Sequence, residues 1–273
     1  MMKRLISIAT LVLLLLAGTL SSQAQTRLYG DVNSDGEVTI TDVNAVIDVI
    51  LGGSAPTPPP DPNGHEYVDL GLPSGTLWAT CNIGASAPEE YGSYFAWGET
   101  SPKSHSDWNN YKWCINYGND SYCDKIIGIT KYCTDTSDGI ADFKAELDAE
   151  DDAAYVNWGS LWRIPSRMQF RELQYYCTCT STQRNGVNGL LVTGPNGNTM
   201  FLPAAGYRDE GSFEDVSERG CYWTRTLYTS YPSYAFDFEI YFKNDGYGEY
   251  DEPWHPDYES RIDEFTIRAV RVP

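Results

Sequence analysis

The sequence predicts an α+β domain with much loop, preceded by a linker and a small module, and three observations lead to this division. In residues 65–273, short aromatic phrases are separated by glycine, proline and asparagine, which is typical of strands and turns. Two windows, DGIADFKAELDAEDDAA and RMQFRELQYY, instead repeat apolar residues at helical spacing. SAPTPPPDPNG at residues 54–64 has the composition of a stiff, extended linker.

Residues 1–25 have the features of a cleavable secretory signal peptide. Lys3 and Arg4 precede an apolar run that ends at Leu20, and the small residues Ser22 and Ala24 follow it. The run is short for a bilayer span, which favours cleavage over the alternative of a membrane anchor. We therefore expect an exported bacterial protein, secreted or at the cell surface, with no membrane attachment after cleavage.

The chain is strongly acidic, with 38 Asp and Glu against 19 Lys and Arg and a formal net charge of −19. Such a chain would approach a polyanion against its own electrostatic field, which argues against nucleic acid as a partner. The same charge suits calcium-rich surroundings outside the cytoplasm.

The stretch GDVNSDGEVTITDVNAVIDVILGG has the spacing of a calcium-binding loop. Counted from Asp31, residues suited to Ca²⁺ ligation fall at loop positions 1, 3, 5, 7, 9 and 12. These predicted Ca²⁺ ligands are Asp31, Asn33, Asp35, Glu37, Thr39 and Asp42. Gly36 stands at position 6, where the loop must turn sharply. An ordinary Asx-rich turn is the alternative, but the spacing, the glycine and a following helical pattern agree with Ca²⁺.

Apolar residues after the loop recur at helical spacing, at Val43, Val46, Ile47, Ile50 and Leu51. Too few residues precede the loop for an entering helix, so residues 26–53 read as a loop followed by one helix. This unit resembles a dockerin repeat, the calcium-dependent module by which secreted polysaccharide-degrading proteins attach to cohesin receptors. Dockerins usually carry two repeats, and only one occurs in this sequence. The resemblance implies a protein partner, such as a cohesin-like receptor, and the apolar stripe needs either the large domain or another chain to cover it.

The clearest predicted helix of the large domain begins after WRIPS, where Pro165 and Ser166 lead into RMQFRELQYY. Its candidate buried positions are Met168, Leu173 and Tyr176. A second, more acidic helix is predicted at DGIADFKAELDAEDDAA, with Ile140, Phe143 and Leu147 on one face.

Six phrases of the large domain occur in a familiar order, namely LPSGTLWATCNIGA, YFAWGET, WRIPS, FLPAAGYRDEG, CYWTRT and IRAVRV. In order and spacing they resemble the Fibrobacter succinogenes major paralogous domain family, a relative of the formylglycine-generating and C-type-lectin-like folds. The match spans nearly all of residues 66–273. The resemblance implies a C-type-lectin-like core and no established biochemical activity.

Seven cysteines in an exported chain suggest disulfides, with at least one thiol left over. Cys177 and Cys179 point the same way along an extended strand, which disfavours a bond between them. The resemblance implies Cys81 with Cys177, because both lie in family phrases expected in the core. Two small buried thiols are the alternative.

Exposed aromatic rings offer one way to bind sugar, and the chain has 8 Trp and 20 Tyr. Trp108, Tyr111 and Trp113, in the polar loop DWNNYKWC, are the candidate ligand-binding aromatics. The alternative is that most of these rings belong to the core. Carbohydrate is therefore a second candidate partner beside a protein.

The case for catalysis is the weakest. None of His65, His105 and His255 has a nucleophile motif beside it, and no catalytic residue is assigned. Paired carboxylates of a glycoside hydrolase stay open, because sequence spacing does not show which acids lie across a cleft. The acidic segment GYGEYDEPWHPDYESRIDE is either a second cation site or a solvated loop.

Together these inferences favour a secreted, calcium-binding protein that binds or scaffolds without catalysis. Its dockerin-like repeat associates it with polysaccharide-degrading machinery. The alternative is a carbohydrate-active enzyme of the glycoside hydrolase type, with unidentified carboxylates in the large domain.

Overall fold

The computed structural model describes residues 60–120, 125–242 and 254–271, together with Val43. The chain divides into two compact units, of which the larger spans residues 61–272. The predicted signal peptide, the Ca²⁺ loop with its six ligands and residues 54–59 of the linker lie outside the described residues. These assignments stay predictions. The strands and helices of the larger unit make up the described fold.

Strands dominate the described residues. The strands β1 to β16 are Tyr67–Asp69, Leu77–Ala79, Phe95–Ala96, Cys114–Asp120, Lys125–Ile129, Trp162–Arg163, Thr178–Arg184, Val187–Thr193, Thr199–Pro203, Tyr207–Asp209, Ser212–Glu214, Arg219–Leu227, Tyr234–Tyr241, Trp254–Ser260, Glu264–Phe265 and Val270–Arg271. The helices described are α1, Ala153–Trp158, and α2, Arg167–Tyr176, with a 3-10 turn at Ala149–Asp151. With ten residues α2 is the longest helix described, and none of the described helices has the length and hydropathy that crossing a bilayer requires.

The described strands form five small sheets with antiparallel pairing. Their strand orders are β1-β2-β16-β6, β11-β10-β15-β3, β12-β13-β14, β7-β8-β9 and β4-β5. Strand β16 lies between β2 and β6, and β15 pairs with β3. The end of the domain is therefore paired with strands near its beginning, so these two sheets close only when distant parts of the chain meet.

Aromatic side chains form much of the core. Trp223 stacks on Phe265 with ring centroids 4.2 Å apart, and Phe170 of α2 stacks on Phe238 of β13 at 4.5 Å. These four rings are almost completely buried, and the two pairs belong to separate hydrophobic clusters. Burying such a side chain stabilises the fold by about 1.5–3 kcal/mol, so the two clusters stabilise the contacts between the short strands.

The prediction of an α+β, C-type-lectin-like fold is wrong, because the described domain is β-rich. Most of the window DGIADFKAELDAEDDAA has no regular secondary structure, with helix only in the 3-10 turn and the start of α1. Gly139 pairs with Ile129 in a parallel bridge, where a Cβ would meet the Ile129 carbonyl oxygen at 1.9 Å. Phe143 has a φ of 55°, which ends any helix, and Glu146 pairs with Thr226. Contacts with distant strands therefore override the local helical period.

The helix predicted after WRIPS is confirmed as α2. Ser166 caps it: its hydroxyl accepts from the Gln169 amide, and the Gln169 side chain accepts from the Ser166 amide. Of the predicted buried positions, Leu173 is buried, whereas Met168 and Tyr176 are exposed. The inward face is formed by Phe170 and Leu173 instead, because the short helix packs on the strands through one narrow stripe.

The cysteine pairing expected from the resemblance is not found. Cys81 and Cys177 are both free thiols, and they pack against different hydrophobic clusters. Cys177 and Cys179 are likewise not bonded to each other. Cys81 and Cys177 act as small apolar side chains in or beside the core, which was the alternative considered from the sequence.

Candidate functional site

The sheet β12-β13-β14 has two chemically different faces. Because side chains alternate along a strand, the register places Tyr222, Phe238 and Trp254 on one face, where they join a hydrophobic cluster. The other face carries acidic side chains, among them Asp237 and Glu239.

The apolar face of this sheet continues to the surface at the β12–β13 turn. Phe236 and Tyr258, paired across β13 and β14, follow the buried rings along the same face. Tyr258 and Tyr231 of the turn are 42% and 61% exposed, whereas Phe236 and Tyr228 are half-buried. The core thus ends in a row of accessible tyrosine rings.

Tyr228, Tyr231 and Tyr258 form a surface that we call the tyrosine platform. The rings of Tyr228 and Tyr258 are stacked, with centroids 4.1 Å apart and an interplanar angle of 11°. The ring of Tyr231 is tilted against that of Tyr228, with centroids 5.9 Å apart and an interplanar angle of 31°. Phe236 meets Tyr228 edge to face at 5.2 Å, so the platform rests on the core.

Backbone hydrogen bonds fix the turn that carries the platform. The amide of Tyr231 donates to the carbonyl of Tyr228 at 3.1 Å, and the amide of Tyr228 donates to the carbonyl of Tyr234 at 3.1 Å. The buried guanidinium of Arg261 also stabilises the turn, because it donates to the carbonyl of Pro232 at 2.9 Å. A turn held in this way orders the rings before any ligand arrives, which reduces the entropy lost on binding.

Arg167, the first residue of α2, lies at the edge of the platform. Its guanidinium carbon is 3.9 Å from the centre of the Phe236 ring, and its Nε is buried without a hydrogen-bond partner. Within the described residues neither Arg167 nor Arg171, one turn further along, forms an ion pair. Burial and the nearby Arg171 lower the pKa of Arg167 below its ordinary value. Guanidinium donors beside exposed rings are suited to ligand oxygen atoms.

The aromatic side chains predicted from the sequence lie elsewhere. Trp108 and Tyr111 are buried against each other, with ring centroids 5.4 Å apart, and Tyr111 donates to the carbonyl of Trp97. Trp113 is half-buried, and the ammonium groups of Lys112 and Lys131 lie 4.4 and 5.0 Å from the centre of its ring. The polar sequence of this loop conceals a small core, so Trp108 and Tyr111 present no open face to a ligand.

Several carboxylates are brought together on the acidic face of the sheet. Asp237 and Glu239 are 0% and 1% exposed. Burial and the neighbouring carboxylates Glu239, Glu259 and Asp257 raise the pKa of Asp237 well above its ordinary value. Burial, followed by Glu239 and Asp257, raises the pKa of Glu259 to about 6. Asp237 and Glu239 are too deeply buried to flank a glycosidic bond, so this pair does not supply the carboxylates of a hydrolase.

The sequence contains a signal for the platform that composition alone obscures. In LYTSYPSY, Tyr228, Tyr231 and Tyr234 lie in or next to a short connection between two strand phrases, and such connections run over the surface. Two of them, Tyr228 and Tyr231, belong to the platform. The third ring, Tyr258, comes from β14 and joins the row only through the strand register. That register is a property of the folded sheet.

Comparisons with protein-family models, with curated proteins and with solved structures find no match for this chain.

Proposed function

We propose that this chain is an exported binding protein that binds a carbohydrate chain on the tyrosine platform of its β-rich domain. The observation that carries the proposal is the group of Tyr231, Tyr228 and Tyr258 at one end of the sheet β12-β13-β14, in which Tyr228 and Tyr258 are stacked and Tyr231 and Tyr258 are exposed. The exposed rings Tyr231 and Tyr258 offer apolar surface for the C–H groups of a sugar, and each has a hydroxyl for hydrogen bonding at its edge.

The shape and charge of the platform favour a sugar over other ligands. The exposed aromatic surface is supported by a hydrophobic core, and Arg167 adds hydrogen-bond donors for hydroxyl oxygens of a sugar. Nucleic acid also stacks on aromatic rings, but the formal charge of −19 opposes its approach. A neutral polysaccharide meets both conditions.

The first prediction concerns the platform. Changing Tyr258 to Ala removes one ring and leaves Tyr228 without its stacking partner, so affinity for a polysaccharide is expected to fall about 10-fold, equivalent to about 1.4 kcal/mol. Affinities are measured by calorimetry after a glycan array of neutral and uronate-containing chains has identified the ligand.

Phe213→Ala is the matched control for this experiment. Phe213 is 61% exposed, as is Tyr231, but it lies on β11 of another sheet. Binding should persist in Phe213→Ala and fall in both Tyr231→Ala and Tyr258→Ala. Equal binding by all three variants, or no bound glycan on the array, would sink the proposal.

We also propose that the dockerin-like unit at residues 26–53 binds Ca²⁺ and attaches the protein to a partner. The second prediction is that Asp35→Ala removes a ligand of the loop and abolishes both the heat of binding and the gain in melting temperature with millimolar CaCl₂. Asp107→Ala, an exposed acid of the large domain, is the control and should respond to Ca²⁺ as the parent does. Identical calcium titrations of Asp35→Ala and the parent would contradict this assignment, while the platform experiment would still stand.

A further inference from the structure

The acidic face of β12-β13-β14 presents a set of side chains that the platform does not use. Its paired positions are Arg219 with Tyr241, Cys221 with Glu239 and His255, Trp223 with Asp237 and Asp257, and Ala235 with Glu259. Four carboxylates thus share this face with one guanidinium and one imidazole. The register alone brings together residues from CYWTRT, YAFDFEIY and the acidic segment that the sequence marked as a cation site or a solvated loop.

The potential metal-binding atoms on this face are close enough to share one ion. One ligand atom each from Cys221, Asp237 and Glu239 lies within 4.8 Å of the other two, and all three residues are buried. The Cys221 sulfur is 3.6 Å from Glu239 Oε1. In a tetrahedral site with metal–sulfur and metal–oxygen bonds of about 2.3 and 2.0 Å, the two ligand atoms would be about 3.5 Å apart.

Asp237 gives independent evidence for a missing ligand. Its side chain is 0% exposed, and neither carboxylate oxygen has a hydrogen-bond partner. Protonation would remove the charge but would leave a buried hydroxyl and a buried carbonyl oxygen without partners, which is costly. A cation held between Asp237, Cys221 and Glu239 would satisfy these oxygens.

Another acid cluster in the same domain shows the contrast. At Asp148, Glu150 and Asp151 the ligand atoms are equally close, but lysines neutralise them. Lys131 Nζ lies 2.7 Å from Asp148 Oδ2 and 2.5 Å from Asp151 Oδ2, and Lys112 Nζ lies 2.8 Å from Asp151 Oδ1. No described lysine or arginine pairs in this way with Asp237.

Carboxylates that bind metal ions usually also accept hydrogen bonds from neighbouring side chains, and the carboxylate of Glu239 does so. Arg219 Nη1 lies 2.9 Å from Oε1, and the Tyr241 hydroxyl donates to Oε2 at 2.5 Å. Glu239 also belongs to a second close set with His255 and Asp257 on β14, whose ligand atoms lie within 4.8 Å of one another. Potential metal-binding atoms therefore extend from the buried set to His255 and Asp257 on the less buried strand β14.

We propose that Cys221, Asp237 and Glu239 bind one divalent transition-metal ion of the zinc class, with His255 and Asp257 supplying the adjacent donors. Thiolate, imidazole and carboxylate ligands together select such an ion over Ca²⁺ or Mg²⁺, which prefer oxygen ligands alone. Because the three main ligands are buried, the ion braces the three strands and does not meet a substrate. Cys221 and Asp237 release any proton they carry to solvent when the ion binds.

The test uses the full chain carrying Asp35→Ala, so that the N-terminal loop does not contribute. The chelator-stripped protein is loaded with ZnCl₂ or CoCl₂ and freed of excess metal, and the bound metal is measured by atomic emission. The expected result is one equivalent per chain, a cobalt–thiolate charge-transfer band and a raised melting temperature. Both Cys221→Ser and Asp237→Asn should weaken metal affinity by about 100-fold or more, and Cys221→Ser should lose the thiolate band.

Cys133→Ser is the matched control, because Cys133 is a buried thiol in a separate hydrophobic cluster and should leave metal binding unchanged. Asp237→Asn keeps the side-chain shape and removes a buried charge, so it should fold even if Cys221→Ser does not. Circular dichroism without metal checks this point. No stoichiometric metal in the parent, or equal affinity in folded Asp237→Asn, overturns the proposal.

Discussion

Replacing Arg261 with Met is expected to destabilise the β-rich domain by about 4 kcal/mol, because the guanidinium is the hydrogen-bonding centre of a buried region. Arg261 is 0% exposed. It donates to the Tyr111 hydroxyl at 2.9 Å and to the carbonyls of Tyr132, Pro232 and Lys131 at 3.2, 2.9 and 3.1 Å. Methionine fills much of the volume but leaves all four acceptors unpaired, each at a cost of about 1–3 kcal/mol before the structure relaxes.

For a domain of this size, about 4 kcal/mol corresponds to a fall in melting temperature of about 8–16 °C, measurable by circular dichroism or calorimetry. Arg184→Met is the control, because Arg184 is half-exposed and its ion pair is the surface pair with Glu89, so its loss should change stability by less than about 1 kcal/mol. The same variant probes the platform, since Arg261 holds the carbonyl of Pro232 in the tyrosine turn. An Arg261→Met protein that melts within about 2 °C of the parent would show that these bonds contribute little.

Changing Asp152 to Ala is expected to cost about 3–5 kcal/mol, because one buried carboxylate serves several donors at the start of α1. Its Oδ1 accepts from the amides of Ala154 and Tyr155 at 2.9 and 3.1 Å, which caps the helix. The amide of Ile164 lies 3.0 Å from Oδ2, and Arg163 Nε donates to the same oxygen at 2.8 Å. Alanine leaves these donors without an acceptor in a region that water does not reach.

Asp152→Asn separates the contributions of shape and charge. The asparagine oxygen can still cap α1, but its amide nitrogen would face the Arg163 and Ile164 donors, so we expect an intermediate loss of stability. Glu146→Ala is the control, because Glu146 is exposed and its pair with Arg225 is a surface salt bridge worth at most about 1 kcal/mol. Urea unfolding followed by tryptophan fluorescence gives the three free energies. Equal midpoints for Asp152→Ala and Glu146→Ala would refute the assigned role.

Features that depend on neighbouring residues were predicted well from the sequence. The start of α2 follows from Pro165, Ser166 and Gln169, whose cap is made within one turn and needs no distant contact. The strand character of YAFDFEIYF follows from its aromatic content and is confirmed as β13. In this phrase Asp237 and Glu239 alternate with aromatic residues, and this alternation indicates a strand with one acidic face.

Features that depend on distant partners were predicted poorly. The helical spacing of Ile140, Phe143 and Leu147 was real, but Leu147 enters the core while Ile140 and Phe143 are exposed. Trp108 and Tyr111 lie in a polar loop and were expected at the surface, yet the guanidinium of Arg261, about 150 residues later, packs over Tyr111 in the core. The residues that neighbour Trp108 and Tyr111 in the sequence do not indicate the contact with Arg261.

The acidic charge follows from the composition of the chain. The helix cap, the alternation along β13 and the spacing of the predicted Ca²⁺ loop follow from the order of its residues. Only the tertiary structure decided that Tyr258 stacks on Tyr228 and that Cys221, Asp237 and Glu239 converge. The physical reason is that capping and side-chain alternation arise over a few residues, whereas a cross-strand neighbour is set by the register of the sheet. A shift of one residue in that register would exchange the two faces of β13, moving the carboxylates into the aromatic cluster.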